Sequence, residues 1–306
     1  MVKNRSWDLK KRIREIEKYL NSHSFSNVAA FVDKKLAADC SPQVYAGVLD
    51  YHLAVWEFHV ATRAILCGSN DAANWSRLHL GVRYCAAQTK IYLDRFDQLA
   101  AESPDDAKRG RLRIARWHSA NLNAELFTLM AAIALGEWLI AKVCGRRVIR
   151  SYTAQDSLVA ADCWSDNPCD LFMLYLIAIL ERLPDERAEF AKNLADPYDR
   201  IDQAWNDDSE FESAVNAIVQ YHGANCDGSE SLFLHPYDVF PAEILALKTI
   251  RSREGLSFPP LIDLPIMQTP LARVPENISP VTDDPYIPRV IELCRKTMTV
   301  DIPWES

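Results

Sequence analysis

Apolar residues recur at the helical spacing of three and four positions, most densely between Ser119 and Cys144. Two apolar rows run through this stretch: Leu122, Leu126, Leu129, Ile133, Ile140 and Val143, and beside them Phe127, Met130, Ala134, Trp138 and Ala141. Such rows lie along one side of an α-helix, and two adjacent rows leave little polar surface. The pattern predicts a buried helix over residues 119–144. Gly136 is expected in its interior, where a neighbour packs closely, and Gly145 is expected to end it.

A second strongly apolar segment, LFMLYLIAILERL, follows Asp170 and stops at Pro184. Its lack of a polar stripe predicts a core helix beside residues 119–144. Start and stop signals recur elsewhere: Pro42 begins a helix that Gly68 ends, and Ser209 with Glu212 fits a capping box. Helices joined by short loops favour an all-α fold of stacked antiparallel helical hairpins.

Beyond Gly255 the pattern changes, because prolines stand at positions 260, 265, 270, 275, 280 and 285. No helix tolerates proline at this spacing. Apolar residues between them, such as Ile266 and Leu271, favour an extended Pro-rich strap lying on the helices; a Pro-rich peptide ligand is the alternative. We predict a helical body over residues 1–255, with 1–118 and 119–255 as optional subdomains. The strap and a final helix occupy residues 256–306.

The composition, with 49% hydrophobic residues and only 9 glycines, agrees with a packed helical protein. The net charge of −8 favours a basic protein partner over nucleic acid, although acidity that serves solubility is an alternative. No apolar run follows the charged N-terminal segment. The apolar stretches Leu126–Gly136 and Leu171–Leu180 are shorter than the roughly 18 residues of a membrane span. These features predict a cytoplasmic protein that does not bind membranes.

The 8 cysteines include no CxxC pair, which favours reduced thiols. The one close pair, Cys163 and Cys169, matches no zinc template. His52 and His59 are seven positions apart on one predicted helix and lack an evident third ligand, so they are interpreted as core or groove histidines. We predict no metal and no cofactor.

Two acidic clusters are the candidate partner-binding residues. They comprise Asp207, Asp208, Glu210 and Glu212, and then Asp283 and Asp284. Carboxylates at a helix N-terminus are also explained by capping and by the helix dipole. As a binding surface, they would contact a basic protein and speed its association.

No G-x-S-x-G or phosphate-binding glycine loop occurs, and no catalytic residue is predicted. An enzyme with a dispersed site remains an alternative, with His52, His59 and Glu125 as its first candidates. Cys226, near His222 and Asp227, is a weaker candidate nucleophile, because the loop is more simply a surface connection. A helical scaffold for a different partner is a third possibility.

Three segments resemble a known family: GEWLIAKVCGRRVIRSY, DRIDQAWNDDSEFESAVNAIVQYH, and FPAEILALKTIRSREGL with a following DLP. Their order from Gly136 onward resembles the immunity 49 (Imm49) family of bacterial polymorphic-toxin immunity proteins. The resemblance implies an all-α cytoplasmic protein that binds a cognate toxin domain and neutralises it by occlusion. It assigns no toxin contacts to individual residues. A homodimer formed through residues 7–21 or the strap is an open option.

Overall fold

The computed structural model describes residues 7–101, 122–153, 168–226, 233–260, 264–279 and 284–305. Regular secondary structure in these ranges is helical and includes no β-strand, so the all-α prediction is confirmed. The α-helices are α1 (Leu9–Ser22), α2 (Phe25–Ala37), α3 (Pro42–Val48), α4 (Val55–Leu66), α5 (Ala72–Ala101), α6 (residues 122–134), α7 (Trp138–Thr153), α8 (Pro168–Leu180), α9 (Pro184–Asn193), α10 (Asp208–Ala224), α11 (Ala242–Arg253) and α12 (Tyr286–Arg295). No helix in the described ranges combines the length and apolar character needed to cross a membrane.

The predicted helix over residues 119–144 is two helices, α6 and α7, and the break lies at Gly136. Gly136 has a φ of +82°, which favours glycine. Its N–H donates to the carbonyl of Ile133 at 3.2 Å, and the N–H of Glu137 donates to that of Ala132 at 2.8 Å. These two bonds form a Schellman motif, which ends α6.

The sequence predicted that Gly145 ends a helix, but this residue lies inside α7. A Cβ atom at this position would lie 2.9 Å from Cγ2 of Ile177 on α8. Gly145 is therefore the site of close helix packing, and the predicted roles of the two glycines are exchanged.

The core is one connected cluster of buried apolar side chains. Its largest fully buried members include Trp75 of α5, Phe127 of α6, and Phe172 and Tyr175 of α8. Helices α4 and α5 pack together as a hairpin across a short loop, and α8 packs against α7, α9 and α11. The predicted burial of the 171–180 segment is confirmed; the optional division at residue 118 stays a prediction.

The predicted helix from Pro42 to Gly68 contains a wider π-helical turn, Leu49–Ala54, between α3 and α4. The N–H of Val55 donates to the carbonyls of Asp50 and His52. A π-turn adds one residue to the helical repeat and rotates the following side chains. Leu49, Leu53 and Ala54 face the core, whereas Tyr51 remains exposed.

The Pro-rich segment is less extended than predicted. Short 3₁₀ turns occur at Pro265–Gln268 and Pro270–Ala272, where proline begins each turn. Ile266 and Leu271 are buried in the core cluster, as predicted for a strap that lies on the helices. The final α-helix is α12, and a short 3₁₀ turn, Pro303–Glu305, follows it.

Candidate partner-binding surface

A surface rich in aromatic side chains covers α2 and the chain from α3 to the start of α4. Phe25, Phe31, Val44 and Tyr51 expose 45%, 40%, 41% and 51% of their surface. They are four of the six exposed large hydrophobic side chains in the described ranges. Trp56 is half-buried beside them. We call these five residues the aromatic surface.

Ring contacts connect the two halves of the aromatic surface. Phe25 of α2 lies 6.1 Å from the ring of Trp56, and Phe31 lies 4.5 Å from the ring of His52. The ammonium group of Lys35 lies 5.4 Å from the centre of the Phe31 ring. Burial, and then the charge of Lys35, lower the pKa of His52. Aromatic residues are enriched in protein-binding surfaces relative to the rest of the protein surface.

This surface was not predicted from the sequence, although one of its residues carries a signal. In α2 the buried positions are Val28, Val32 and Leu36, which form one helical row. Phe31 lies outside that row and is therefore an apolar residue directed away from the core, whereas Phe25 lies on the row but is exposed as the first residue of α2. Tyr51 carries no comparable signal, because its exposure depends on the π-turn.

The first acidic cluster lies at the start of α10 and is exposed. Asp207 is the N-cap: its Oδ1 accepts from the backbone N–H groups of Ser209 and Glu210, each at 3.0 Å. The capping box predicted Ser209 as the N-cap of α10, but the N-cap is Asp207. Asp208 pairs with Arg251 at 3.0 Å. Glu210 and Glu212 are exposed on the first turns of α10, and neither forms an ion pair with another residue that the structure describes.

In the second cluster, Asp284 caps α12, and Asp283 lies outside the described residues. One carboxylate oxygen of Asp284 accepts from the hydroxyl of Tyr84 at 2.6 Å. The other accepts from the N–H of Ile287 at 2.9 Å. Capping of α12 and the contact with α5 are sufficient to explain an acidic residue at position 284. Binding of a partner by the acidic residues stays a prediction.

The three candidate residues of the enzyme alternative have different surroundings. His52 contacts Phe31, and Glu125 is buried on α6. His59 stacks on Tyr19 at 3.8 Å and lies 4.2 Å from the ring of His235.

The environment of His59 predicts that the free energy of unfolding decreases at acidic pH. Burial, and then the nearby His235, lower its pKa to about 3. An unfolded chain protonates this histidine below about pH 6.5, whereas the folded protein does not. Falling pH therefore favours the unfolded state by about 1.4 kcal/mol per pH unit from roughly pH 6 towards 3. We expect His59→Phe to remove this slope, as measured by urea unfolding at a series of pH values. Parallel pH profiles of variant and wild type would contradict the assignment.

His235 also takes part in a hydroxyl–imidazole–carboxylate chain that the sequence did not predict. Its Nε2 lies 3.2 Å from Oγ1 of Thr62, and its Nδ1 lies 3.1 Å from Oδ1 of Asp238. The order of groups is that of a catalytic triad. However, Thr62 is fully buried and its hydroxyl donates to the Phe58 carbonyl at 2.6 Å, while Asp238 also pairs with Arg12. We therefore assign these hydrogen-bonded groups a structural role in packing α1 and α4 against residues 235–238.

The candidate nucleophile Cys226 is buried, and its thiol donates to the carbonyl of His222 at 3.1 Å. Cys163 lies outside the described residues, and the other seven cysteines are free thiols. Burial raises the pKa of Cys85, Cys144 and Cys169. Within the described ranges, no group of three or more His, Cys, Asp or Glu side chains has a geometry that would hold a metal ion.

Comparisons with protein-family models, with characterised proteins and with solved structures gave no match to this chain.

Proposed function

We propose that the protein is a cytoplasmic immunity protein that binds a cognate toxin domain and neutralises it by occlusion. The observation that carries this proposal is the concentration of exposed large apolar side chains on the aromatic surface. A concentration of exposed apolar side chains is typical of protein–protein interaction sites. The similarity of the three segments from Gly136 onward to the Imm49 family supports the same function.

The aromatic surface offers the residue types that anchor interfaces. Tyr and Trp side chains are enriched among residues that dominate binding energy, because they bury large area with few rotatable bonds. Tyr51, Phe31 and Trp56 supply such anchors. Phe31 and Tyr51 are exposed, so a partner would remove their apolar surface from water.

The acidic residues would have a separate role. Glu210 and Glu212 are exposed at the N-terminus of α10. Charges at the rim of an interface change the association rate more than the affinity. A basic toxin domain would thus approach this acidic protein faster at low ionic strength, and Glu210→Gln with Glu212→Gln would slow association.

Co-expression with the toxin domain encoded beside the gene tests this proposal. We expect wild type to rescue growth and to co-purify with that domain. Phe31→Ala combined with Tyr51→Ala should weaken the complex by about 100-fold or more, since each anchor contributes on the order of 2 kcal/mol. Leu234→Ala is the matched control, because Leu234 is 64% exposed but lies outside the aromatic surface.

Failure of the wild type to rescue growth or to bind would contradict the immunity function. Equal weakening by Leu234→Ala and by the double variant would contradict the aromatic surface as the contact site. A concentration-dependent dimer that the double variant abolishes would instead assign this surface to a second copy of the chain.

A further inference from the structure

A cationic cleft lies where the start of α7, the end of α8 and the end of α11 meet. It is a cavity of about 290 Å³, lined by Trp138, Lys142, Arg146, Leu180, Glu181, Arg182 and Arg253. Cavities that hold small ligands begin at about this size. The residues of this cleft come from three separate segments of the chain, so no local sequence pattern predicts it.

The cleft concentrates positive charge in a chain whose net charge is −8. Four cationic side chains line it, and Glu181 is the one carboxylate among its lining residues. Glu181 forms an ion pair with Arg146. In the described part of the chain, no carboxylate pairs with Lys142, Arg182 or Arg253. All three side chains are exposed, so water screens their mutual repulsion, and an anion bound in the cavity would be attracted by all three charges.

One side chain of the cleft is held in place by an aromatic ring. The guanidinium group of Arg253 lies 4.1 Å from the centre of the Trp138 ring. Stacking on an aromatic ring fixes the plane of a guanidinium group and leaves its N–H edge available. The cleft therefore offers a donor edge whose orientation is set before a ligand arrives.

The backbone of Arg182, another residue of the cleft, adopts a left-handed conformation with φ of +56°. Its N–H donates to the carbonyl of Ile179, and the N–H of Leu183 donates to that of Ala178, so Arg182 ends α8 in a Schellman motif. Gly68, Gly136 and Gly255 have the corresponding positive φ in this chain. An arginine at such a position is strained, and strain of this kind concentrates at ligand-binding sites.

We propose that this cleft binds a small phosphorylated anion, with a diphosphate group between Lys142, Arg182 and Arg253. Guanidinium groups donate paired N–H bonds to phosphate oxygens, and a diphosphate supplies enough negative charge for three cations. This site is separate from the aromatic surface and does not depend on the toxin.

Isothermal titration calorimetry of the full chain with inorganic pyrophosphate tests the proposal. We expect binding of one pyrophosphate, weakened about tenfold by Lys142→Gln or by Arg253→Gln, since each removes a charge-assisted contact. Lys192→Gln is the matched control: it removes one exposed cation at the far end of α9 and should leave binding unchanged. Citrate, a tricarboxylate, should bind more weakly than pyrophosphate.

Arg182→Gly distinguishes ligand binding from a structural role. Glycine relieves the left-handed strain, so the melting temperature without ligand should rise while pyrophosphate binding weakens. Absence of heat at millimolar pyrophosphate would overturn the proposal. So would binding that the three cleft variants leave unchanged, or citrate binding as tight as that of pyrophosphate.

Discussion

Replacing Glu243 alone with leucine is expected to destabilise the protein by about 3–5 kcal/mol, because it leaves the buried His222 imidazole without its ion-pair and hydrogen-bond partner. Glu243 of α11 and His222 of α10 are both completely buried, and their carboxylate and Nδ1 atoms lie 2.5 Å apart. Burial alone lowers the pKa of His222, but the Glu243 carboxylate and Cys226 raise it well above its ordinary value. His222 is therefore charged, and its charge depends on Glu243.

Replacing both partners is expected to cost far less than Glu243→Leu alone. In the combined variant His222→Phe and Glu243→Leu, no charge is buried, and an aromatic ring still faces Phe233, which lies 3.9 Å from the His222 ring. Apolar residues of similar volume often replace a buried ion pair without loss of stability. Urea unfolding of wild type, both single variants and the double variant gives the coupling free energy. Additive losses in the double variant would contradict a charged pair.

Replacing Arg251 with methionine is expected to cost about 3–5 kcal/mol. Arg251 of α11 is fully buried, and its Nε donates to the Ser257 carbonyl at 2.8 Å. A second donor bonds the carbonyl of Trp205. Its guanidinium group lies 3.6 Å from the centre of the Phe211 ring. The variant leaves two carbonyl groups without their donors, and it loses the cation–π contact.

Asp208→Asn is the matched control for Arg251. The Asp208 side chain is 70% exposed, so its ion pair with Arg251 is screened by water. We expect this variant to change the free energy of unfolding by less than about 1 kcal/mol. If Asp208→Asn proves as costly as Arg251→Met, the ion pair and not the carbonyl bonds positions Arg251. Both are measured by urea unfolding at neutral pH.

The contacts at the start of α10 determine which acidic residues are suitable for testing partner binding. Asp207 caps α10 and Asp208 contacts Arg251, so these two carboxylates have structural roles whether or not a partner binds. Glu210 and Glu212 are therefore the better positions at which to test charge-dependent association. Their substitution should affect the association rate with little change in stability.

Local sequence determined most of the helices, because their signals act within a few residues. Gly68 ends a helix as predicted, since it follows an apolar row and takes a positive φ. The apolar rows of α6 and α8 predicted burial correctly, because a helix apolar on all sides has no stable exposed orientation. The spacing of prolines excluded a long helix after Gly255, since proline removes a backbone donor.

Tertiary structure decided what local patterns leave open. Gly136 and Gly145 both lie within apolar rows, and only the packing of Ile177 against α7 determines which one is the close contact and which one ends a helix. The exposure of Tyr51 depends on the π-turn, and the cationic cleft joins residues from three helices. The sequence by itself therefore determined an all-α core and the approximate positions of its helices. The aromatic surface and the cleft required the tertiary structure, because long-range packing determines which side chains meet.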